Sequence, residues 1–455
     1  SDLTYPSSIE ADDGGNFFVA EAGYSYGDPD AKPRILRITP AGEITSFATK
    51  GLHGPINDLL WHKGDLYVSH RGRISVVKEG GRIRDLVTGL PSGGDHHNNQ
   101  MTVGPDGKLY FGQGTATNSG VVGPDNAHMG WLRKDPHLHD VPARTIQVKA
   151  KAFESRNPLR TGGATAHTMP FQPFNSGDEK KTTIEGTTKA GGTILRMNLD
   201  GGNLEVYAWG LRNPYGVLWS TDGKLYATEN GLDIRGSRPI ANDKEDLYII
   251  KEGGWYGWPD YASGLPVTDP QFAPENGPKP EFIMEEHPPV EKPLLTFPKH
   301  AAATKLAVSP GGRFGPKGRL FIAFFGHMSP MTGETGEHGG HRVAVVDPES
   351  KTVEEFFTKK ESHGAVAGGG HHAEASQPTG RTENAGHAKS EKSSKSDQGG
   401  KDESVTAGPR RLMDVVFAPN GDALYVVDFG ALVVKNNSAV PAAGTNGSGR
   451  RREPN

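Results

Sequence analysis

A chain of 455 residues with a net charge of −4, 62 glycines, 34 prolines and no cysteine excludes several classes at once. It has no thiol for a disulfide, a thiolate metal site or a cysteine nucleophile. It has no basic patch of the kind a nucleic-acid partner requires, and no apolar run near the ~20 residues of a membrane span. The length would hold two or three average domains, but abundant turn-formers and modest apolar content suit many short strands in one large all-β unit. The chain opens on Ser1-Asp2 without a methionine, which reads as a processed end, and an exported protein, periplasmic or secreted, is expected.

In chain order, one phrase recurs: a turn with glycine, then Leu or Phe, an aromatic and small residues, ending on glycine. It appears as GGNFFVAEAG to Gly23, KGDLYVSHRG to Gly72, DGKLYFGQG to Gly114, DGKLYATENG to Gly231, KGRLFIAFFG to Gly326 and NGDALYVVDFG to Gly430. An apolar strand such as INDLLW or GVLWS precedes each. Most are followed by outer-strand candidates such as RILRITPAGEITSFA or TILRMNLDGGNLEVYAW. Four short strands per unit, repeated, predict a propeller, and six units predict six blades over residues 1–435.

The first unit carries Glu21, Tyr24 and Tyr26 in a polar aromatic loop, read as a solvated connection. The second carries nothing that reads as chemistry. The third is different: Asp95, His96, His97, Asn98, Asn99 and Gln100 crowd together before an inner strand. A histidine moves protons near neutral pH, and a neighbouring carboxylate orients it. Loops entering inner strands gather at the mouth of a propeller channel. Because neighbours in extended chain point to opposite sides, one histidine is expected to act and the other to be structural.

Residues 115–192 form a long insertion, expected to act as a lid or specificity wall at the mouth rather than as an independent domain. Its Trp131 and Phe153 read as packing anchors, with sugar stacking as the alternative. The fourth unit pairs Arg212-Asn213-Pro214 with Glu229-Asn230-Gly231 across its hairpin, then runs into a loop dense in Asp, Arg and Asn. Residues 358–408 are low complexity, and their His371 and His372 have no rigid frame; residues 436–455 have linker composition and read as a flexible tail.

GDHHNNQMTVGPDGKLYFGQG, WGLRNPYGVLWSTDGKLYATENG and GGWYGWPDY together resemble the glucose/sorbosone dehydrogenase family of quinoprotein propellers. The resemblance implies pyrroloquinoline quinone and calcium as cofactors, and oxidation of a sugar hydroxyl or an aldehyde, with electrons passed to an external acceptor. It implies His96 as the base with Asp95 beside it. Arg212 would face the quinone oxygen, with Asn213 supporting the cofactor. Calcium would be held by the carbonyls of Gly231 and Leu232, with Asp233, Glu245 and Asp246 as nearby acidic groups.

Two departures fall on cofactor binding. Phe324, Phe325, Gly326 and His327 stand where the family's soluble glucose dehydrogenases place a lysine. In Arg411-Leu412-Met413-Asp414 a methionine replaces the second of two arginines. Arg411 and His327 are the expected cofactor contacts, with His300 and Arg410 as further substitutes. Arg235 and Arg238 lie in the loop after Gly231 and are expected to serve solubility. The leading reading is a quinone-dependent sugar or aldehyde dehydrogenase. The alternative is a non-catalytic propeller that binds carbohydrate or protein at its mouth. Calcium-assisted hydrolysis of a lactone or ester fits the same residues but has no motif of its own.

Overall fold

Each recurring hairpin becomes the inner pair of an antiparallel sheet, and its turn chemistry explains the repeat. In DGKLY, the Asp106 carboxylate accepts the Lys108 N–H at 3.2 Å and the Tyr110 hydroxyl at 2.8 Å. Asp222, Lys224 and Tyr226 do the same one blade later, at 3.1 and 2.8 Å. The glycines between, Gly107 and Gly223, sit at φ +74° and +75°, a region open to glycine at no steric cost.

The computed structural model describes residues 3–24, 31–177, 179–328, 340–358 and 410–430. Among them five sheets have four strands. The first holds Pro6–Ala11, Phe17–Glu21, Arg34–Ile38 and Ile44–Ala48, and the second holds Ile56–His62, Asp65–His70, Arg73–Lys78 and Arg82–Thr88. The third joins Asn98–Val103 and Leu109–Gln113 to Thr193–Met197 and Glu205–Trp209 across the long insertion. The fourth is Pro214–Trp219, Leu225–Glu229, Glu245–Ile250 and Leu295–Phe297; the fifth is Ala303–Val308, Leu320–Phe324, Arg342–Asp347 and Thr352–Thr358.

The six-bladed expectation is corrected here. The sixth unit, Leu412–Phe417 with Leu424–Asp428, is a two-stranded sheet, so the described propeller has five complete blades. In the other units the outer strands follow the hairpin. The chain after Gly430 lies outside the described residues, as do Tyr26, the low-complexity insertion from 359 to 408 and the C-terminal tail.

The first strands of the units neighbour one another in chain order, and Leu412–Phe417 lies beside both Ala303–Val308 and Pro6–Ala11. Apolar clusters fill the gaps between sheets. Phe18, Ile56 and Leu66 pack between the first and second, Leu109, Phe111 and Leu195 belong to the next, and Leu306, Ile322 and Phe324 lie between the fourth and fifth. Each fully buried side chain of this kind contributes about 1.5–3 kcal/mol. At the centre the ammonium of Lys305, wholly buried, meets Asp58 at 2.9 Å and Asp414 at 2.8 Å. Ser8 donates to Asp414 at 2.9 Å, so four inner strands are tied by one ionic knot.

Because first strands start, and second strands end, at the same end of each sheet, all six glycine-terminated phrases meet at one mouth. No helix among the described residues is long and apolar enough to cross a membrane.

Candidate active site at the propeller mouth

His96 is fixed by backbone before its ring is considered. Its N–H donates to the Thr115 carbonyl at 3.1 Å, and Gly114 N–H donates to the His97 carbonyl at 2.9 Å. Gly114 cannot be larger: a Cβ there would lie 2.3 Å from the His96 Cβ and 2.8 Å from the Asn213 Oδ1. The His96 Nδ1 is 3.1 Å from the Thr115 carbonyl oxygen and 3.3 Å from the Thr115 hydroxyl. That hydroxyl spends its own proton on the Thr117 carbonyl, at 2.7 Å. Both neighbours therefore accept, which assigns the proton to Nδ1 and leaves a lone pair on Nε2. Burial, followed by the Arg212 and Arg235 charges, holds the ring well below the usual histidine range. His96 is thus a neutral base with its acceptor nitrogen unpartnered among the described residues.

An ionic cluster lies beside it. Arg212 donates from Nη2 to Asp233 at 2.7 Å, from Nε to the Asn118 carbonyl at 3.3 Å and from Nη1 to the Asn230 carbonyl at 3.4 Å. Three of its five N–H donors are taken. Arg235 reaches Asp95 at 2.5 Å, Asp125 at 2.6 Å and Asp233 at 3.1 Å. His300 Nδ1 lies 3.5 Å from the other Asp233 oxygen. Burial alone would raise the Asp233 carboxyl, but Arg212, His300 and Arg235 together hold it below the ordinary carboxylate range. For Asp95 burial wins and the carboxyl is raised despite Arg235. Its Oδ1 is buried without a partner.

Asn213 links the two blades. Its amide donates to Asn230 Oδ1 at 2.8 Å and accepts from Asn99 at 2.9 Å. Asn230 in turn donates to Glu245 at 2.9 Å and to the Ala303 carbonyl at 2.8 Å. Glu229 accepts the N–H groups of Arg212 and Asn213, and burial pushes its carboxyl up to about 8. Gly231 packs with no room for a Cβ, which would meet the Lys244 carbonyl at 2.5 Å. Leu232 N–H donates to Asp243 at 2.7 Å. No donor among the described residues reaches the Gly231 or Leu232 carbonyl.

The structure thus brings together Asp95, His96, Arg212, Asn213 and the Gly231–Asp233 turn. His97 is buried on the other side of the strand: burial, then the Arg71 charge, lowers it to about 3. Arg411 and His327 also meet, through a 2.8 Å bond from the Arg411 guanidinium to the His327 carbonyl. Met413, at the second arginine position, is buried with Phe325 and Phe429.

Other expectations change. Asp233 is the anionic centre of an arginine pair rather than a free metal ligand, because two guanidiniums occupy its carboxylate. Asp246 is engaged elsewhere, accepting from Tyr248 at 2.9 Å and Ser263 at 3.0 Å. Among the described residues no three His, Cys, Asp or Glu side chains are placed to hold a metal. Arg235 and Arg238 are not surface arginines. Arg238 is 1% exposed, bonded to Asp260 at 2.7 Å and to the carbonyls of Ser119, Pro259 and Glu281. The packing role expected of Trp131 and Phe153 is the one observed: Trp131 is buried in the insertion's own apolar cluster, and Phe153 packs against the cluster around Trp255.

Asn118 was not legible in the sequence. Its side chain donates to the Asp233 carbonyl at 2.7 Å and accepts the Asp233 N–H at 2.9 Å, while its own carbonyl takes Arg212 and Trp258. Its partners lie 94 to 140 residues away. No local pattern carries that signal.

Comparison with known proteins agrees with this architecture. Residues 174–335 match the family described as Glucose / Sorbosone dehydrogenase. Quinoprotein glucose dehydrogenase B of Acinetobacter calcoaceticus is 26% identical over 189 residues, which cover 39% of this chain and 29% of that protein. The match therefore spans less than a third of that relative's length. The holo form of the pyranose dehydrogenase PQQ domain from Coprinopsis cinerea aligns over 94% of this chain and 91% of its own, with a TM-score of 0.54 and 15% identity. That likeness is one of fold, an all-β propeller. The PQQ-bound aldose sugar dehydrogenase from Streptomyces coelicolor aligns over 78% of this chain and 82% of its own, at a TM-score of 0.46 and 18% identity.

Proposed function

Because this chain carries the glucose/sorbosone dehydrogenase family's segment over residues 174–335, we propose that it is a quinone-dependent oxidoreductase acting on a sugar hydroxyl or an aldehyde. The observation that carries the reading is the His96 tautomer. Two acceptors on Nδ1 leave Nε2 as a base at the mouth, within the field of Arg212.

Pyrroloquinoline quinone is the cofactor of this reading; the chemistry it supplies when bound is acceptance of hydrogen from the sugar carbon as hydride. The donor set fits such a group in part. Arg212 keeps one N–H on each Nη nitrogen for a quinone oxygen, held in place by Asp233 and Asn118. Arg411 has one guanidinium nitrogen on the His327 carbonyl, leaving further N–H donors for a carboxylate. The Gly231 and Leu232 carbonyls are hard oxygen donors without hydrogen-bond partners among the described residues, which suits calcium.

The protein's own part in the chemistry follows from these positions. His96 Nε2 takes the hydroxyl proton as the carbon-bound hydrogen departs. Thr115 holds the ring so that it does so with one nitrogen only. Arg212 is a fixed cation in a largely dry setting, where developing negative charge is stabilised without reorganisation. Asn213, braced by Asn99 and Asn230, keeps that wall of the site rigid.

One specific observation favours a second reading, a non-catalytic carbohydrate-binding propeller. Arg212 and Arg235 are shared among Asp95, Asp125 and Asp233, so the cluster offers a tricarboxylate no net positive charge. The test is calorimetric titration of the metal-free protein with pyrroloquinoline quinone and calcium, followed by dye reduction across a panel of aldoses. Saturable, calcium-dependent binding with sugar-dependent reduction supports the dehydrogenase. No binding at high micromolar quinone leaves the carbohydrate binder.

A further inference from the structure

Arg71, at the mouth, pairs with no carboxylate among the described residues. Arg71 follows the strand Asp65–His70, its N–H held by the carbonyls of His53 and Pro55 at 3.2 and 3.0 Å. Its guanidinium lies 5.1 Å from the centroid of the Tyr24 ring. Its Nε is buried with no hydrogen-bond partner, and among the described residues no acidic side chain pairs with it. Arg212 and Arg235, the guanidiniums beside His96, are each held by aspartates, and Arg411, on the sixth unit, donates to the His327 carbonyl. The difference is local.

A second side chain adjoins the same ring. His97 Nδ1 is buried without a partner, and the His97 ring meets Tyr24 edge to face at 6.4 Å between centroids. The Arg71 charge is the strongest electrostatic influence on His97 after burial, and together they keep the ring neutral. The buried Arg71 donor left unpaired carries a desolvation cost. Such a cost persists where a ligand relieves it.

We propose that Arg71, backed by Tyr24 and His97, is the anion-recognising residue of the substrate subsite, so that the sugar carries a carboxylate. This rests on the dehydrogenase reading for the word substrate; the anion preference itself does not. The planar guanidinium fork matches a carboxylate with two parallel N–H donors, a geometry that a neutral hydroxyl cannot use in full. Tyr24 offers a flat face at the same point. Position favours the sugar over the quinone as the source of the carboxylate. Arg71 and His97 stand on the second and third blades, next to His96, whereas Arg411 and His327 belong to the sixth and fifth units.

The experiment is calorimetric titration of the full chain, with and without quinone and calcium, using D-glucuronate and D-glucose. The wild type is expected to bind glucuronate at least about tenfold tighter than glucose, since a charged acceptor strengthens the hydrogen bonds from a guanidinium. Arg71→Gln is expected to remove that preference and leave glucose binding unchanged, while Arg71→Lys keeps part of it. Equal binding of the two sugars by the wild type, or of neither, overturns the proposal, as does a preference that survives Arg71→Gln. If Arg71→Gln weakens quinone binding and leaves the sugar preference intact, the carboxylate is the quinone's and the substrate assignment is wrong. A wild-type preference lost in Arg71→Gln, with no dye reduction by either sugar, upholds the subsite and removes the dehydrogenase reading instead. Melting temperature serves as the folding control: a Tyr24 buttress alone would move stability and leave the preference unchanged.

Discussion

The Thr115 carbonyl holds the Nδ1 of His96 at 3.1 Å, and the Thr115 hydroxyl is turned to accept as well. A residue from the start of the insertion thus decides which nitrogen of the third-blade histidine keeps its lone pair.

His96→Ala is expected to lower dye-reduction kcat by about 10²–10⁴-fold, the usual contribution of a positioned base. Quinone binding and Tm should stay near those of the wild type. Wild-type turnover in this variant removes His96 from the mechanism.

The pH dependence of kcat/KM carries its own sign. Burial and two arginines lower the His96 pKa, and the base must be neutral, so activity falls only as pH drops through that lowered value. The acid limb should lie below pH 6.5, with activity undiminished at that pH. A limb at or above 6.5 assigned to His96 would contradict the environment described.

Asn118→Ala removes both side-chain bonds that clamp the Asp233 backbone. A loss of about 1–3 kcal/mol in urea unfolding is expected, with a weaker calcium complex because the Gly231–Leu232 carbonyls share that turn. Unchanged stability and unchanged calcium affinity together would exclude the clamp.

Overall stability should be higher at pH 5 than at pH 8. Burial raises Asp140 to about 7, Glu229 to about 8 and Glu245 to about 7. Unfolded carboxyls titrate near 4, so folding takes up protons in between. The contribution of these groups is complete below their unfolded values and is lost as pH rises through the raised ones. The histidines that burial lowers, His70, His96 and His97, oppose the carboxyls in this window, since their unfolded rings take up protons near 6.5, and Asp233, with its depressed pKa, loses its contribution only as pH falls through that low value. A Tm at pH 5 higher by on the order of a few degrees is the expected calorimetric result; a Tm rising from pH 5 to 8 would refute it.

Lys305→Met leaves Asp58 and Asp414 without their counter-ion at the axis. A loss of about 3–5 kcal/mol is expected, the usual effect of stranding buried charge. Adding Asp58→Asn and Asp414→Asn should recover part of it, and a single variant as stable as the wild type would show that the knot does not tie the ring.

Much of this protein is set by local sequence. The Asp-Gly turns bond within four residues, Asp106 to Tyr110 and Asp222 to Tyr226, so the hairpins were readable from the phrase alone. The crowd at Asp95 to Gln100 was visible as well, but Asn98, Asn99 and Gln100 belong to the strand Asn98–Val103 and bond to neighbouring strands and blades. The sequence by itself also determined that one of two adjacent histidines would differ from the other, because extended backbone alternates its sides.

Tertiary structure alone decided the rest. Which nitrogen of His96 keeps its lone pair depends on Thr115, and the fate of Asp233 depends on Arg212, Arg235 and Asn118, which approach from separate segments. Arg238 read as a surface residue because nothing nearby in sequence announces Asp260 and three carbonyl partners. The two-stranded sixth unit and the Lys305 knot arise where the ends of the ring meet. Local rules specify hairpins; charge pairing and burial across hundreds of residues specify what each side chain is free to do.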